Sequence, residues 1–276
     1  MTLSAPEAAL ADAWLAARAE GRWVPLPAEQ GLTLDLAAAY RVADCNDARR
    51  IAAGERPRGW KIGFTNRSIW PRYGVHQPIW ARVWDSTLTL LAGTSAEVSL
   101  AGLVQPRIEP EIVFGFGRAP APGLDEAGLL ACLDWVAHGV EIVHTHYAGW
   151  RFDAAADPVA DFGLHGRLLV GPRRPLADWP DMHRLGADLA ALTLRLNQGD
   201  AEVDRGQGAA VLDGPVSALR HWLSAMAEHT PSWQVQAGDV VTTGTLTDAW
   251  PVSPGQTWTT HLDDPRLPGL SLRFLP

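Results

Sequence analysis

Short β-type runs separated by turn residues make up most of the chain from Gly59 to its C-terminus, and this pattern most constrains the fold. Runs rich in β-branched and aromatic residues and bounded by Gly, Pro, Asn or Asp are typical of strands. Between two of them, Asn197–Asp200 has the composition of a tight turn, which predicts a hairpin of antiparallel strands. The predicted strands are GWKIGFT, AEVSL, RIEPEIVFGFG, GVEIVHTH, RLLVG, LTLRLNQ, GDVVTTGTL, QTWTTHL and GLSLRFL.

Four stretches combine a helical spacing of apolar residues with signals for a helix start or end. Two lie before the β-rich part, at residues 5–21 and at residues 33–54, where Asp35 stands in the first turn. The other two interrupt the strands, at about residues 124–137 and 215–228. The sequence therefore predicts an α+β chain.

The two parts of the chain differ in predicted secondary structure, and this difference suggests a domain boundary. Residues 1–57 are expected to form a helical N-terminal region, and residues 58–276 one β-rich catalytic domain. A chain of 276 residues with 47% hydrophobic content can bury one large core. We find no internal repeat or low-complexity segment.

Charge and cysteine content narrow the classes of function. A net charge of -8 provides no broad basic field, so a nucleic-acid partner is disfavoured. The two cysteines, Cys45 and Cys132, lie in predicted helices, which argues against a disulfide framework. No run approaches the roughly 20 apolar residues that cross a bilayer, and no basic leader precedes an apolar run, so we expect a cytoplasmic protein. Gly115-Phe-Gly117 lacks the third glycine of a dinucleotide-binding fingerprint, so no nucleotide cofactor is expected.

An isolated set of acids in apolar strands is the main chemical signal. Strand alternation places Glu109 and Glu111 on one face of RIEPEIVFGFG, and a third acid, Glu141, lies in the apolar run GVEIVHTH. Carboxylates that share one face repel each other unless a positive charge lies between them, and three of them suit a hard cation such as Mg²⁺ or Mn²⁺. The alternative is that Glu109 and Glu111 lie on the solvated face of an edge strand.

The sequence around these acids resembles the fumarylacetoacetate hydrolase superfamily, most closely its branch of 2-keto-4-pentenoate hydratases and 4-oxalocrotonate decarboxylases. The likeness runs in consistent order from about residue 35 to the C-terminus. It implies a mixed, barrel-like β-roll with a helical N-terminal region, and a homo-oligomer. The stretches that carry it are GWKIGFTN, GVHQPIW, VQPRIEPEIVFGFG, VEIVHTHYAGWRF and GDVVTTGTLTDAWPVSPGQ.

The resemblance also implies roles for particular residues. Glu109, Glu111 and Glu141 match the three metal-binding carboxylates, and Lys61 matches the active-site lysine of this branch. A structural ion pair with the same acids is the alternative for Lys61. Thr245 is expected to hydrogen-bond the substrate, although a β-branched residue in a strand needs no function.

Two departures from the branch leave the reaction open. Where the branch carries an acid before Gln-Pro, this chain has His76, and where the branch reads Ala-Asp-Asn-Ala-Ser-Ser, residues 160–166 read ADFGLHG. The imidazoles of His76 and His165 are therefore candidates for the catalytic proton carrier, against a surface role for His76 and a packing role for His165.

Three further side chains near the acids have open roles. Arg107 could bind a substrate carboxylate or neutralise the adjacent acids, whose face it shares. His144 and His146 form a His-x-His pair, but regular alternation points both away from the face of Glu141, so we expect at most one of them near the site.

The expected substrate is a small 2-keto acid or 2-hydroxydienoic acid that chelates the metal through its carboxylate and its C2 oxygen. The leading hypothesis is a hydratase of a 2-hydroxy-2,4-dienoate in a catabolic pathway. The alternatives are a decarboxylase of a 2-keto-3-enedioate, a C–C hydrolase of an acylpyruvate, and a metal- and keto-acid-binding protein that has lost turnover.

Overall fold

A computed structural model describes residues 3–230 and 232–276, and it shows a mixed α+β protein with two sheets, as the sequence predicts. The helices are α1 (Ala5–Glu20), α2 (Leu36–Ala52), α3 (Trp70–Tyr73), α4 (Glu126–Leu130), α5 (Ala156–Ala160), α6 (Leu185–Ala191) and α7 (Pro215–His229). The strands are β1 (Pro57–Gly63), β2 (Ile79–Trp84), β3 (Leu88–Leu90), β4 (Ser95–Ser99), β5 (Arg107–Phe116), β6 (Leu133–Val143), β7 (His165–Val170), β8 (Arg174–Pro175), β9 (Thr193–Gln198), β10 (Ala201–Gln207), β11 (Val240–Thr245), β12 (Trp250–Pro251), β13 (Thr257–Leu262) and β14 (Ser271–Leu275).

The larger sheet has nine strands and carries the acids. Its order is β2-β1-β11-β5-β6-β7-β3, with β12 beside β5 and β8 beside β6. The smaller sheet has the order β10-β9-β13-β14-β4. Strands β5 and β6 are the longest, pair antiparallel along nearly their whole length, and lie in the interior of the larger sheet.

The larger sheet is curled, so that its two faces meet different surroundings. On one face of β5, Ile108, Ile112 and Phe114 pack into the main core of the protein. On the other face, apolar residues from five strands form a separate small cluster, which we call the apolar floor. It consists of Val83, Val113, Ala137, Leu168, Val170 and Val240. Because β2 and β7 lie far apart in the strand order but share this cluster, the sheet must curve around it.

The N-terminal helices pack onto the same main core. The Ser4 side chain caps α1 in a capping box with Glu7, and Asp35 caps α2 by accepting a hydrogen bond from the backbone N–H of Ala38. An ion pair between Glu7 and Arg41 joins the two helices. The division into residues 1–57 and 58–276 stays a prediction.

The predicted helices at 5–21, 33–54 and 215–228 are confirmed as α1, α2 and α7. The predicted helix at 124–137 is wrong, because only Glu126–Leu130 is helical and Leu133–Val143 is a strand. This strand is buried between β5 and β7, so both its faces carry apolar residues. A run that is apolar on both faces has no clear period of two, and its leucines also fit helical spacing.

The predicted tight turn between antiparallel strands is confirmed. The hairpin at residues 197–200 joins β9 to β10, with Gly199 in a left-handed conformation. Cys45 and Cys132 are both free thiols. Within the described residues, no helix combines the length and apolarity needed to cross a bilayer. Strands β2 and β3 are not among those predicted from the sequence.

A close backbone approach at Gly59 allows β1 to lie beside β11. A Cβ atom at Gly59 would lie 1.8 Å from the carbonyl oxygen of Val240, and its φ of +147° disfavours any other residue. We expect Gly59→Ala to lower the free energy of unfolding by about 3 kcal/mol, since a backbone atom cannot move aside as a side chain can. Urea denaturation measures this, with Gly93→Ala as the control, because a Cβ there meets nothing within 4 Å. Equal stability of the two variants would contradict the packing argument.

Candidate active site

The pairing of β5 with β6 brings the three predicted metal ligands together. Glu109 and Glu141 lie directly opposite each other across the two strands, and Glu111 follows two residues along the same face of β5. One carboxylate oxygen from each acid lies within 4.8 Å of the other two. We call this group the acid cluster (Glu109, Glu111, Glu141). Because β5 lies between β11 and β6, the edge-strand alternative is wrong.

The three acids of the acid cluster differ in their exposure to solvent. Glu111 and Glu141 are fully buried, whereas Glu109 is partly exposed. Val113 and Ala137, from the apolar floor, continue the same faces of β5 and β6 behind the acids. The acids therefore lie between the apolar floor and the solvent that reaches Glu109.

A β-bulge in β11 fixes the orientation of Glu111. The pairing of β11 with β5 shifts between Thr242 and Thr245, and Gly244 lies inside this irregularity with a φ of +98°. Its backbone N–H donates a hydrogen bond of 2.7 Å to Oε2 of Glu111. A Cβ at Gly244 would lie 1.9 Å from Oγ1 of Thr65, so only glycine fits here.

Lys61 reaches the acid cluster across the curled sheet. Its strand, β1, is separated from β6 by β11 and β5, yet its Nζ lies 3.4 Å from Oε2 of Glu141. The same ammonium donates a hydrogen bond of 2.9 Å to the carbonyl oxygen of Gly163. In a flat sheet, three inter-strand spacings of about 4.8 Å would keep these side chains apart.

His165 holds the other oxygen of Glu141. Its Nδ1 lies 2.7 Å from Oε1 of Glu141, and its Nε2 lies 2.7 Å from Oγ1 of Thr87. Burial lowers the pKa of His165, although the bond to Glu141 opposes this, so the ring is neutral at pH 7. We assign the ring proton to Nδ1, because a carboxylate can only accept; Nε2 then accepts from the Thr87 hydroxyl.

Burial and mutual repulsion control how the acids ionise. Burial, reinforced by the charge of Glu141, raises the pKa of Glu109 to about 7 and holds the pKa of Glu111 well above its ordinary value. Burial favours a higher pKa for Glu141 as well. The charge of Lys61 and the hydrogen bond from His165 outweigh this effect, and the pKa of the Glu141 carboxyl is lowered. Burial opposes the charge of Lys61 too, yet the three acids outweigh it and raise the pKa of the ammonium.

A left-handed turn brings Gly163 and His165 to the acid cluster. Phe162, Gly163 and Leu164 have φ values of 54°, 59° and 64°. Left-handed geometry costs about 1–2 kcal/mol for each residue that carries a side chain. Two such residues in succession around one glycine indicate a strained backbone, of the kind that concentrates at functional sites. We call this segment the left-handed turn (Phe162–Leu164).

The donors of the acid cluster fit a divalent cation. Within residues 3–230 and 232–276, Oε1 of Glu111 and Oε2 of Glu141 are buried oxygens that accept no hydrogen bond. Such acceptors are costly unless something positive satisfies them. Three carboxylates with further positions open to water suit Mg²⁺ or Mn²⁺.

Arg107 and Thr245 lie beside the acid cluster. The Arg107 guanidinium stacks over Trp150, with 4.2 Å between its Cζ and the ring centre, and its charge opposes the rise in the pKa of Glu109. Arg107 also lines a cavity of about 590 Å³ and, in the described part of the chain, forms no ion pair. Thr245 pairs with Glu111 in the strand register, but its hydroxyl bonds the backbone of Thr247.

Three other histidines have no bond to the acid cluster in the described structure. His76 is exposed in the loop between α3 and β2. His144 and His146 lie beyond the end of β6, so strand alternation does not set their directions. His146 pairs with Asp161 at 2.5 Å, and Nδ1 of His144 accepts from the backbone N–H of Val104. The role of His76 stays a prediction.

The groups that hold the predicted residues in place were not predicted from the sequence. These are the N–H of Gly244, the carbonyl oxygen of Gly163 and the hydroxyl of Thr87. Gly244 had a signal, since a glycine inside a strand pattern suggests a bulge. The left-handed turn and Thr87 had none, because their contacts depend on tertiary packing.

The chain is similar to known proteins in both sequence and fold. No family model matches the chain. The chain is 30% identical to "2-keto-4-pentenoate hydratase 2" of Dechloromonas aromatica (strain RCB), covering 91% of each protein. It is 29% identical to a 4-oxalocrotonate decarboxylase of Pseudomonas sp, over 75% of each. Among solved structures, the 4-oxalocrotonate decarboxylase of Pseudomonas putida G7, complexed with magnesium and adipate, superposes with a TM-score of 0.87, at 26% identity and 99% coverage of both chains.

Removing one acid should separate metal binding from folding. At a metal concentration 100 times its Kd, a bound ion stabilises the native state by about 2.7 kcal/mol; if Glu111→Gln weakens binding about 100-fold, less than 0.5 kcal/mol of this remains. We expect the metal-free variant to be at least as stable as the native protein, because one of three repelling buried acids is gone. Thermal unfolding with and without Mn²⁺ measures both effects.

The control for this measurement is Glu97→Gln, which removes an exposed acid of β4. It should leave the response to Mn²⁺ unchanged. A full Mn²⁺ response in Glu111→Gln would exclude Glu111 as a ligand.

Proposed function

The chain belongs to the hydratase and decarboxylase branch of the fumarylacetoacetate hydrolase superfamily, and from this we propose that it is a metal-dependent lyase that hydrates a 2-hydroxy-2,4-dienoate. Its fold is of the superfamily type. The observation that carries the proposal is the acid cluster, in which two buried oxygens accept no hydrogen bond and one of these, Oε2 of Glu141, lies 3.4 Å from the buried ammonium of Lys61. The relatives named 2-keto-4-pentenoate hydratase supply the substrate class.

In this proposal, Glu109, Glu111 and Glu141 hold Mg²⁺ or Mn²⁺. When bound, such an ion stabilises negative charge that develops on the C2 oxygen of a 2-keto acid. The bulge at Gly244 and the ring of His165 keep two of the ligands in fixed orientations. The magnesium complex of the Pseudomonas putida G7 decarboxylase supports a divalent ion in this proposal.

Lys61 acts in this proposal as a cation and proton donor. The acids keep its side chain protonated, so it cannot serve as a general base in this state. Its ammonium can bind the substrate carboxylate or donate a proton to the dienol carbon chain. Hydration needs such a donor, since protonation of the dienol at C5, with loss of the 2-hydroxyl proton, gives a 2-keto acid with a conjugated C3=C4 double bond, and water then adds at C4.

His165 orients Glu141 in this proposal, since both of its ring nitrogens are occupied. This is a positioning role rather than the proton transfer that the sequence suggested. Thr245 lies opposite Glu111 in the strand register. Its hydroxyl donates a hydrogen bond to the carbonyl oxygen of Thr247. The base that activates water, and assembly into a homo-oligomer, stay predictions.

Decarboxylation of a 2-keto-3-enedioate is the second candidate. Such a substrate carries a second carboxylate that needs a cation away from the metal. Arg107 meets this need, because it lies two residues before Glu109 on the same face of β5 and forms no ion pair within the described residues. The decarboxylase relatives support this alternative.

Two substrates and three variants distinguish the candidates. We expect 2-hydroxypenta-2,4-dienoate to lose its ultraviolet absorbance in the presence of Mg²⁺ or Mn²⁺, with hydrated keto acid as the product by mass spectrometry. A chelator should abolish this reaction, and Glu111→Gln should lower kcat/KM by about 100- to 1000-fold. Arg107→Met should slow the hydratase reaction less than any reaction of the enedioate, with Arg195→Met, an exposed arginine of β9, as the control.

Release of CO₂ from the enedioate without hydration of the dienoate would replace the hydratase proposal with the decarboxylase. Cleavage of an acylpyruvate alone would assign C–C hydrolysis. Turnover that survives the chelator unchanged would rule out the metal mechanism.

A further inference from the structure

Arg18, in the last turn of α1, reaches out of the N-terminal helical region to the segment behind the acid cluster. Its NH1 donates a hydrogen bond of 3.0 Å to the backbone carbonyl oxygen of His165. Its guanidinium also lies over the ring of Phe162, with 5.0 Å between the Cζ and the ring centre. These two contacts lie at the first residue of the left-handed turn and at the residue that follows it.

The bond to His165 is the directional contact of Arg18. Its NH1 also lies 3.3 Å from Nε2 of His144. Since Nδ1 of His144 accepts from the backbone of Val104, the proton of the neutral ring belongs on Nε2. Two donors then face each other there, so this approach is a packing contact. The guanidinium is thus held by one carbonyl oxygen and one aromatic face.

Arg18 forms no direct ion pair within the described residues, although an arginine in such surroundings normally has one. Desolvation lowers the pKa of its guanidinium to about 9, and the charges of Asp161 and Glu55 oppose this only in part. Since no acid contacts the guanidinium directly, its bond to the carbonyl oxygen of His165 and its stacking on Phe162 are what orient it.

The segment that Arg18 holds has two direct links to the reacting groups. Its Gly163 carbonyl oxygen accepts the hydrogen bond from Lys61, and the ring of His165 bonds Glu141. Because Phe162 and Leu164 are strained, the turn has other backbone conformations of lower local energy. Any of them would move the Gly163 oxygen and the His165 ring away from their partners.

We propose that Arg18 is a positioning residue of the active site, which holds the left-handed turn in its strained conformation and so fixes Lys61 and Glu141. Helix α1 is then part of the active-site support. This inference rests on the proposed function only where the metal is concerned, since the geometry of His165 can be measured without metal or substrate.

The test compares Arg18→Met with Arg18→Lys and Arg41→Met. Methionine keeps much of the length of Arg18 without its donors, and lysine restores a charged donor. Arg41→Met removes the ion pair that joins α2 to Glu7 of α1, so it loosens the helix without touching the turn. Three quantities are measured: the Kd for Mn²⁺ from the electron paramagnetic resonance of the free ion, the downfield proton resonance of Nδ1–H of His165, and the urea midpoint. His165→Gln assigns the resonance.

We expect Arg18→Met to weaken Mn²⁺ binding about 10-fold and to shift or abolish the His165 resonance, as the loss of an outer-shell partner does at metal sites. Arg18→Lys should recover part of both. Arg41→Met should lower the urea midpoint and leave both signals as in the native protein.

Unchanged Mn²⁺ affinity and resonance in Arg18→Met would overturn the proposal, whatever happens to stability. Equal changes in Arg41→Met would also overturn it, because general loosening of α1 would then be the cause. If the native protein binds no Mn²⁺, the proposed metal site fails, and the His165 resonance alone decides the role of Arg18.

Discussion

The burial of three carboxylates on one concave face is the constraint on which the rest of the structure depends. Such a group is unstable unless each charge is compensated, removed by a proton or bound by a cation. Lys61 compensates only in part, since burial and mutual repulsion still raise the pKa values of Glu109 and Glu111. The curl of the larger sheet is what allows Lys61 to reach Glu141 at all. The curvature of the sheet is therefore needed both for the fold and for the charge compensation of the acid cluster.

The sequence predicted the members of the site better than it predicted their supports. Alternation in β5 placed Glu109 and Glu111 on one face, because the period of a strand is local and regular. It failed for 124–137, where a strand buried on both faces has lost that period. It could not reveal the left-handed turn, whose strained residues Phe162 and Leu164 oppose local preference and are held by distant groups.

The two supports that the backbone supplies share a physical character, since each lies at an irregularity in otherwise regular structure. The bulge at Gly244 turns a backbone N–H toward Glu111, and the left-handed turn directs a carbonyl oxygen toward Lys61. In regular strands, the backbone N–H and C=O groups form hydrogen bonds with neighbouring strands. A local irregularity is therefore needed before one of them can bond to a side chain. Departures from ideal geometry are therefore where the site is built.

The unequal exposure of the three acids has a kinetic consequence for the proposed metal site. Glu111 and Glu141 are fully buried, and the apolar floor lies behind them, whereas Glu109 is partly exposed. An ion arriving from solvent would meet Glu109 first and would have to lose water there before the deeper oxygens could bind it. All three carboxylates would then set the equilibrium affinity, whereas Glu109 alone would govern the rate of ion exchange.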